Sequence, residues 1–88
     1  AAKSGLHGAS KSLAMEVASR GVTVNVVAPG IIEGEMTRDV FDAAAIKSMV
    51  PMQRVGKVDE VAALVAFLAS EDAGYISGQV IGINGAMA

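Results

Sequence analysis

The run Val22-Thr23-Val24-Asn25-Val26-Val27-Ala28 constrains the fold of this chain more than any other segment. It is β-branched nearly throughout and apolar on both faces apart from Thr23 and Asn25. That is the pattern of a strand buried inside a parallel sheet. Pro29-Gly30 stops the run. A parallel sheet needs helices on its faces, so the flanking segments should supply them.

They do so by pattern. Over residues 1–20, Leu6, Leu13 and Val17, with Ala9 and Ala14 beside them, fall on one helical stripe. Lys3, His7, Lys11 and Glu16 lie mostly off it. Gly5 and Gly8 each lower helix propensity by about 1 kcal/mol and in exchange admit another backbone. Arg20-Gly21 ends the helix with a cation followed by glycine. Residues 30–37 have no clean period and read as a loop. Arg38 to Val50 is weakly helical and Pro51 closes it. After a connector over Gln53–Lys57, Val58–Ser70 is a helix with Asp59 and Glu60 at its electropositive end. Glu71–Gly78 is a turn region, and Gln79–Ile83 a short strand ended by Asn84-Gly85.

The order is helix, strand, loop with small helix, helix, strand. This is α/β alternation. Two strands make no stable sheet alone, and the chain has no initiator Met. The expectation is that residues 1–88 are a piece of a single, larger α/β domain, and the resemblance given below makes it the C-terminal part.

Composition narrows the function. The 88 residues are 52% hydrophobic but 3% aromatic, with a net charge of −2. No basic patch suits nucleic acid and no polybasic run suits a membrane surface. With no cysteine, disulfides and thiolate metal sites are excluded. The longest apolar run, Val61 to Ala69, is far short of the ~20 residues that span a bilayer. With no signal-like segment, a cytoplasmic protein is the default expectation.

Two places offer chemistry. Ligands in open parallel sheets bind beyond the carboxyl ends of the strands, so the loop after Pro29-Gly30 either covers a ligand or is an ordinary turn. Lys3 is either a solvated helix lysine or a functional amine.

The order of motifs bears on that choice. Ala1-Ala2-Lys3-Ser4-Gly5-Leu6 is followed by Lys11-Ser12-Leu13-Ala14-Met15-Glu16-Val17-Ala18-Ser19-Arg20-Gly21 and the strand into Pro29-Gly30. Then come Pro51-Met52-Gln53-Arg54-Val55-Gly56, Asp59-Glu60-Val61-Ala62, Phe67-Leu68-Ala69-Ser70, Tyr75-Ile76-Ser77-Gly78-Gln79-Val80 and Ile83-Asn84-Gly85. Together they resemble the short-chain dehydrogenase/reductase family over essentially the whole chain, and most of all its 3-oxoacyl-[acyl-carrier-protein] reductases.

The resemblance implies a Rossmann-type doubly wound parallel sheet whose N-terminal, cofactor-binding half is absent here. It implies that Lys3 is the lysine of a Tyr-x-x-x-Lys motif whose tyrosine falls before Ala1. One helical turn puts phenol and amine on one face, where the ammonium favours the phenolate of a group whose ordinary pKa is about 10. It further implies that Lys3 holds the nicotinamide ribose, and that Pro29, Gly30 and Ile32 line the nicotinamide pocket with the Ile32 backbone at the carboxamide. NADPH is the cofactor implied, with NADH the alternative.

Two departures stand out. Relatives carry Thr where this chain has Gly34, which puts a hydroxyl contact in question, with Thr37 a more distant substitute. The usual Asn-Gly-Gly ending is Asn84-Gly85-Ala86 here, so Ala86 is expected at negative φ or in a different turn.

The remaining polar residues have two readings each. His7 is a proton relay or a packing histidine. Asn25 is a ligand or a hydrogen-bonded strand residue, since an unpaired buried amide costs about 1–3 kcal/mol. Arg20 matches a position that docks the acidic acyl carrier, or is a helix C-terminal cation. Glu33 and Glu35 are metal ligands or solvated loop acids, and solvation is the expectation, with no metal. The helix over Val58–Ser70 is apolar nearly all round, so it is covered on more than one side. By resemblance it helps build a homotetramer, as does the helix containing Lys3.

The implied reaction is NADPH-dependent reduction of a 3-oxoacyl thioester on acyl carrier protein to the 3-hydroxyacyl form, as in fatty-acid or related synthesis. The alternatives are a dehydrogenase for another secondary alcohol, sugar or polyol, and a non-catalytic relative with an assembly or binding role. In each case the 88 residues alone are expected to be inactive.

Overall fold

Helix α1 runs over Ala2–Val17 in a computed structural model that describes residues 2–34 and 40–87, with the backbone alone for residues 2–4. A 3-10 turn, Ala18–Arg20, tightens its end. Gly21 then takes φ 74° and returns its N–H to the Ala18 carbonyl at 3.0 Å. That left-handed position is open to glycine without a steric penalty.

Strand β1 is Val26–Pro29, α2 is Ala43–Met49, α3 is Val58–Leu68, and β2 is Val80–Ile83, with a further 3-10 turn at Glu71–Ala73. β1 and β2 form a two-stranded sheet. Val26 N–H donates to Gln79 O at 2.9 Å and Gly30 N–H to Ile83 O at 3.0 Å. Partner numbers rise together along both strands, so the pairing is parallel.

β1 begins later than the β-branched run and runs one residue further. Residues 22–25 are held by other means. Gly78 N–H donates to Val24 O at 2.7 Å, and Ser77 Oγ accepts from Val24 N–H at 3.0 Å. Asn25 spans the gap: its Nδ2 donates to Ile76 O at 3.0 Å and its Oδ1 accepts from Gln79 N–H at 3.2 Å. A side-chain amide replaces a peptide group there, which settles Asn25 as a structural residue.

Pro29 was expected to stop the strand and instead closes it from within. The N–H groups of Val26 and Gly30 point toward β2. Alternation along the strand therefore turns the donorless nitrogen of Pro29 away from β2, where its lack breaks no bond in this pair. Nor is β1 deeply buried: Val26, Val27 and Ala28 are half-buried and Pro29 is exposed. Among the described residues its one strand neighbour is β2.

Two compact units divide the chain, residues 1–27 with 64–81, and residues 28–63 with 82–88. In the first unit the buried apolar residues are Ala14 and Ala73, and a Cβ on Gly78 would come within 3.6 Å of the Ala14 methyl. In the second they are Ile46 and Val50. α2 starts at Ala43, inside the expected span, because Asp42 caps it: Asp42 Oδ1 accepts from Ala45 N–H at 2.7 Å. Arg38 and Asp39, the expected start, lie outside the described residues.

Candidate functional site

The loop after β1 belongs to the second unit and is held there at several points. Gly30 donates to Ile83 O, as above, and has no room for a side chain. A Cβ there would lie 2.6 Å from Asn84 Cβ and 2.9 Å from Asn84 Cα. The close approach that Gly30 permits is therefore to the chain's own segment after β2.

Two residues on, Ile32 forms a parallel bridge with Gly56. Gly56 N–H donates to Ile31 O at 2.9 Å and Glu33 N–H donates to Gly56 O at 2.9 Å. Bonds at positions 31 and 33 place the N–H and C=O of Ile32 itself on the opposite edge, away from Gly56. Beyond the carboxyl ends of β1 and β2 lies a half-open cavity of about 370 Å³. Ile31, Ile32, Met52 and Ile83 give it apolar walls, and Arg54 and Asn84 polar ones.

The electrostatics of this unit gather at the first turn of α3. Arg54 Nη1 and Nη2 donate to the two carboxylate oxygens of Glu60 at 2.7 and 3.0 Å. Glu60 Oε1 also accepts from Lys57 N–H at 3.0 Å. The Arg54 hydrogen bond, and after it the Lys57 N–H, hold the Glu60 carboxyl down to about 2. Glu60 is the third residue of the helix and reaches back to the residue before it, one half of a capping box. The other half is missing, because Lys57 has no acceptor to offer. Instead Glu33, from the loop after β1, places Oε2 at 2.9 Å from Val58 N–H.

Glu33 is thus more than a solvated loop acid. It caps a helix from 25 residues away. Among the described residues no group of three or more metal-ligating side chains converges. Glu35 and Thr37 lie outside the described residues. Gly34, with Phe41, Ile46 and Val55, borders a second cavity of about 310 Å³ in the same unit.

The other expected residues are placed unevenly. Lys3 is in the first turn of α1, and its side chain lies outside the described residues. Arg20 is exposed at the end of its 3-10 turn, where its charge suits the helix terminus. His7 is half-buried, and its carbonyl accepts the Ser10 hydroxyl at 3.0 Å. Lys3 and Arg20 belong to the first unit, and Pro29, Gly30 and Ile32 to the second.

What sequence reasoning missed is the role of Glu33 as a cap and the pairing of Glu60 with Arg54. The Lys57-to-Glu60 spacing was a usable signal for Glu60. Nothing local marks Glu33, since its partner is remote.

A family profile described as Enoyl-(Acyl carrier protein) reductase matches residues 1–87. The chain belongs to the short-chain dehydrogenase/reductase family. Its helices and two-stranded parallel sheet are a partial Rossmann-type fold of that family. This chain is 58% identical over 89 residues to the 3-oxoacyl-[acyl-carrier-protein] reductase FabG of Salmonella typhimurium, covering 99% of this chain and 36% of the relative. Identity and coverage are the same for the protein of that name in Escherichia coli K12. The Vibrio harveyi protein is 54% identical, with 99% of this chain and 36% of the relative covered. The chain therefore spans about a third of the length of these curated relatives. The family description names an enoyl reductase and the relatives' names a 3-oxoacyl reductase.

Proposed function

We propose that this chain is the C-terminal part of a short-chain reductase that converts a 3-oxoacyl thioester on acyl carrier protein to the 3-hydroxyacyl thioester with NADPH. The observation that carries the reading is the 58% identity to 3-oxoacyl reductases along 99% of the chain. Between the family description and the relatives' names, the relatives weigh more, because they match in detail as well as in outline.

The described residues suit a nicotinamide. Its carboxamide offers one acceptor and two donors. The Ile32 peptide lies just beyond the carboxyl end of β1 with its edge turned away from Gly56, where the carboxamide would come. Pro29 and Gly30 lead the backbone to that point, and Ile32 would hold the carboxamide. When bound, the cofactor supplies a hydride for the carbonyl carbon of the substrate. Lys3 would hydrogen-bond the ribose hydroxyls. Its ammonium would stabilise the phenolate left when a tyrosine four residues before it gives its proton to the carbonyl oxygen, and so make that phenol the stronger acid.

Arg20, exposed on the first unit, would meet the acidic carrier protein. Exposed apolar positions on α1 and α3, among them Leu6, Met15 and Val65, fit helices that a homotetramer covers. A cytoplasmic place and a role in fatty-acid synthesis go with this reading.

The test is made on the full-length parent enzyme. Lys3→Met should lower the rate of NADPH oxidation with a 3-oxoacyl carrier protein by ~10²-fold or more, the range of acid–base assistance. Good oxidation of small secondary alcohols with no turnover of the acyl substrate would overturn the substrate. A residue other than tyrosine four before Lys3 would overturn the catalytic reading.

A further inference from the structure

We infer that Glu33 is a positioning residue for the nicotinamide end of the cofactor, because it ties the loop that carries Ile32 to the first turn of α3. This rests on the reading just given.

The loop is fastened on both sides of Ile32. Before it, Ile31 O accepts from Gly56 N–H at 2.9 Å; after it, Glu33 N–H donates to Gly56 O at 2.9 Å. Those bonds fix where the Ile32 peptide edge points relative to Gly56. The Glu33 carboxylate adds a tie from the same loop to the helix by accepting from Val58 N–H at 2.9 Å.

The helix end it grips is itself braced. Lys57 N–H donates to the Glu60 carboxylate, and so does the Arg54 guanidinium. With no acceptor on Lys57, the α3 terminus lacks a side-chain cap of its own at that position. A carboxylate on a helix N-terminal N–H is a charge-assisted bond aided by the helix dipole. A serine at position 57 would stabilise the helix comparably but would leave the loop untied. Drawing a cap from the residue next to Ile32 couples helix and loop.

Three variants of the full-length enzyme separate positioning from stability. NADPH binding is read by fluorescence titration, and 2′,5′-ADP, which lacks the nicotinamide, reports the other half of the site. Glu33→Ala should raise the Kd for NADPH ~10-fold, the scale of a lost charge-assisted hydrogen bond, and leave the Kd for 2′,5′-ADP unchanged. Glu33→Gln, which keeps an acceptor oxygen, should recover most of the loss. Glu33→Ala with Lys57→Ser should regain thermal stability but not NADPH affinity.

Unchanged NADPH affinity in Glu33→Ala, an equal loss for both ligands, or full rescue of affinity by Lys57→Ser would each overturn the tether and leave the reductase reading intact. A wild-type enzyme that binds neither NADPH nor NADH would overturn that reading, and the tether with it.

Discussion

Ala86 has φ 70°, a left-handed conformation next to Gly85 at φ 62°. Negative φ was expected at Ala86, and the expectation fails because of the turn around it. Met87 N–H donates to Asn84 O at 3.1 Å, so residues 84–87 form a four-residue turn with both central residues at positive φ. This is the type I′ pattern, here with Gly85 and Ala86 as its central residues. The turn keeps its shape, and the alanine absorbs the strain, about 1 kcal/mol for an L residue there. Ala86→Gly should therefore raise stability slightly, by at most about 0.5 kcal/mol in denaturant titration of the full-length enzyme, once glycine's freer unfolded chain is allowed for.

Gly30→Ala should act in the opposite direction. Its methyl would meet the Cα and Cβ of Asn84, at 2.9 and 2.6 Å, which cannot swing aside as a side-chain tip can. A loss of about 1–3 kcal/mol is expected by the same measurement. Asn-Gly was legible as the end of β2, and the sign of φ beyond it was not. That sign depends on a hydrogen bond closing across the turn, which residue identities alone do not report.

At the scale of elements, periodicity located α1, α3 and β2 to within a residue or two, because each is a single repeating pattern. The edges of α2 and β1 were less legible. α2 starts where Asp42 finds a backbone donor, and β1 starts where bonding to β2 takes over from the Asn25 side chain. The capping of α3 was half legible, its local half through Glu60.

That local half should respond to acid. The Glu60 carboxyl, ordinarily at 4.5, is held at about 2 in the folded chain. Its contribution is complete above 4.5 and is lost as pH falls toward 2, so the α3 terminus is tighter at higher pH. The protection of the Lys57 amide, its exchange measured against the intrinsic rate at each pH, should fall through that window. The change should be small and salt-sensitive, because the pair is exposed, and it should vanish in Glu60→Gln.

For the whole molecule, the deciding quantity is how little apolar surface is covered. Among the described residues the buried apolar side chains are Ala14, Ile46, Val50 and Ala73, while Met15 is 73% exposed and Leu6 58%. Cores built largely of alanine contribute little, since hydrophobic stabilisation scales with the area removed from water. The isolated 88-residue chain should therefore melt over a broad range without a cooperative transition and bind a hydrophobic dye such as ANS. A sharp calorimetric peak would contradict this. The α/β class was legible at this scale because strand and helix periods alternate. The candidate site was legible as a place, at the end of β1, but not as a mechanism of support, because Glu33 and Val58 meet only through folding.

The Asn25 bracket leads somewhere else. A backbone ladder cannot lose its alternation of donor and acceptor, but a side-chain amide can, by slow hydrolysis. Conversion of Asn25 to aspartate would turn the atom now donating to Ile76 O into an anion facing that carbonyl. Asn25→Asp, made directly, would then open this one seam and leave the neighbouring ladder bonds in place.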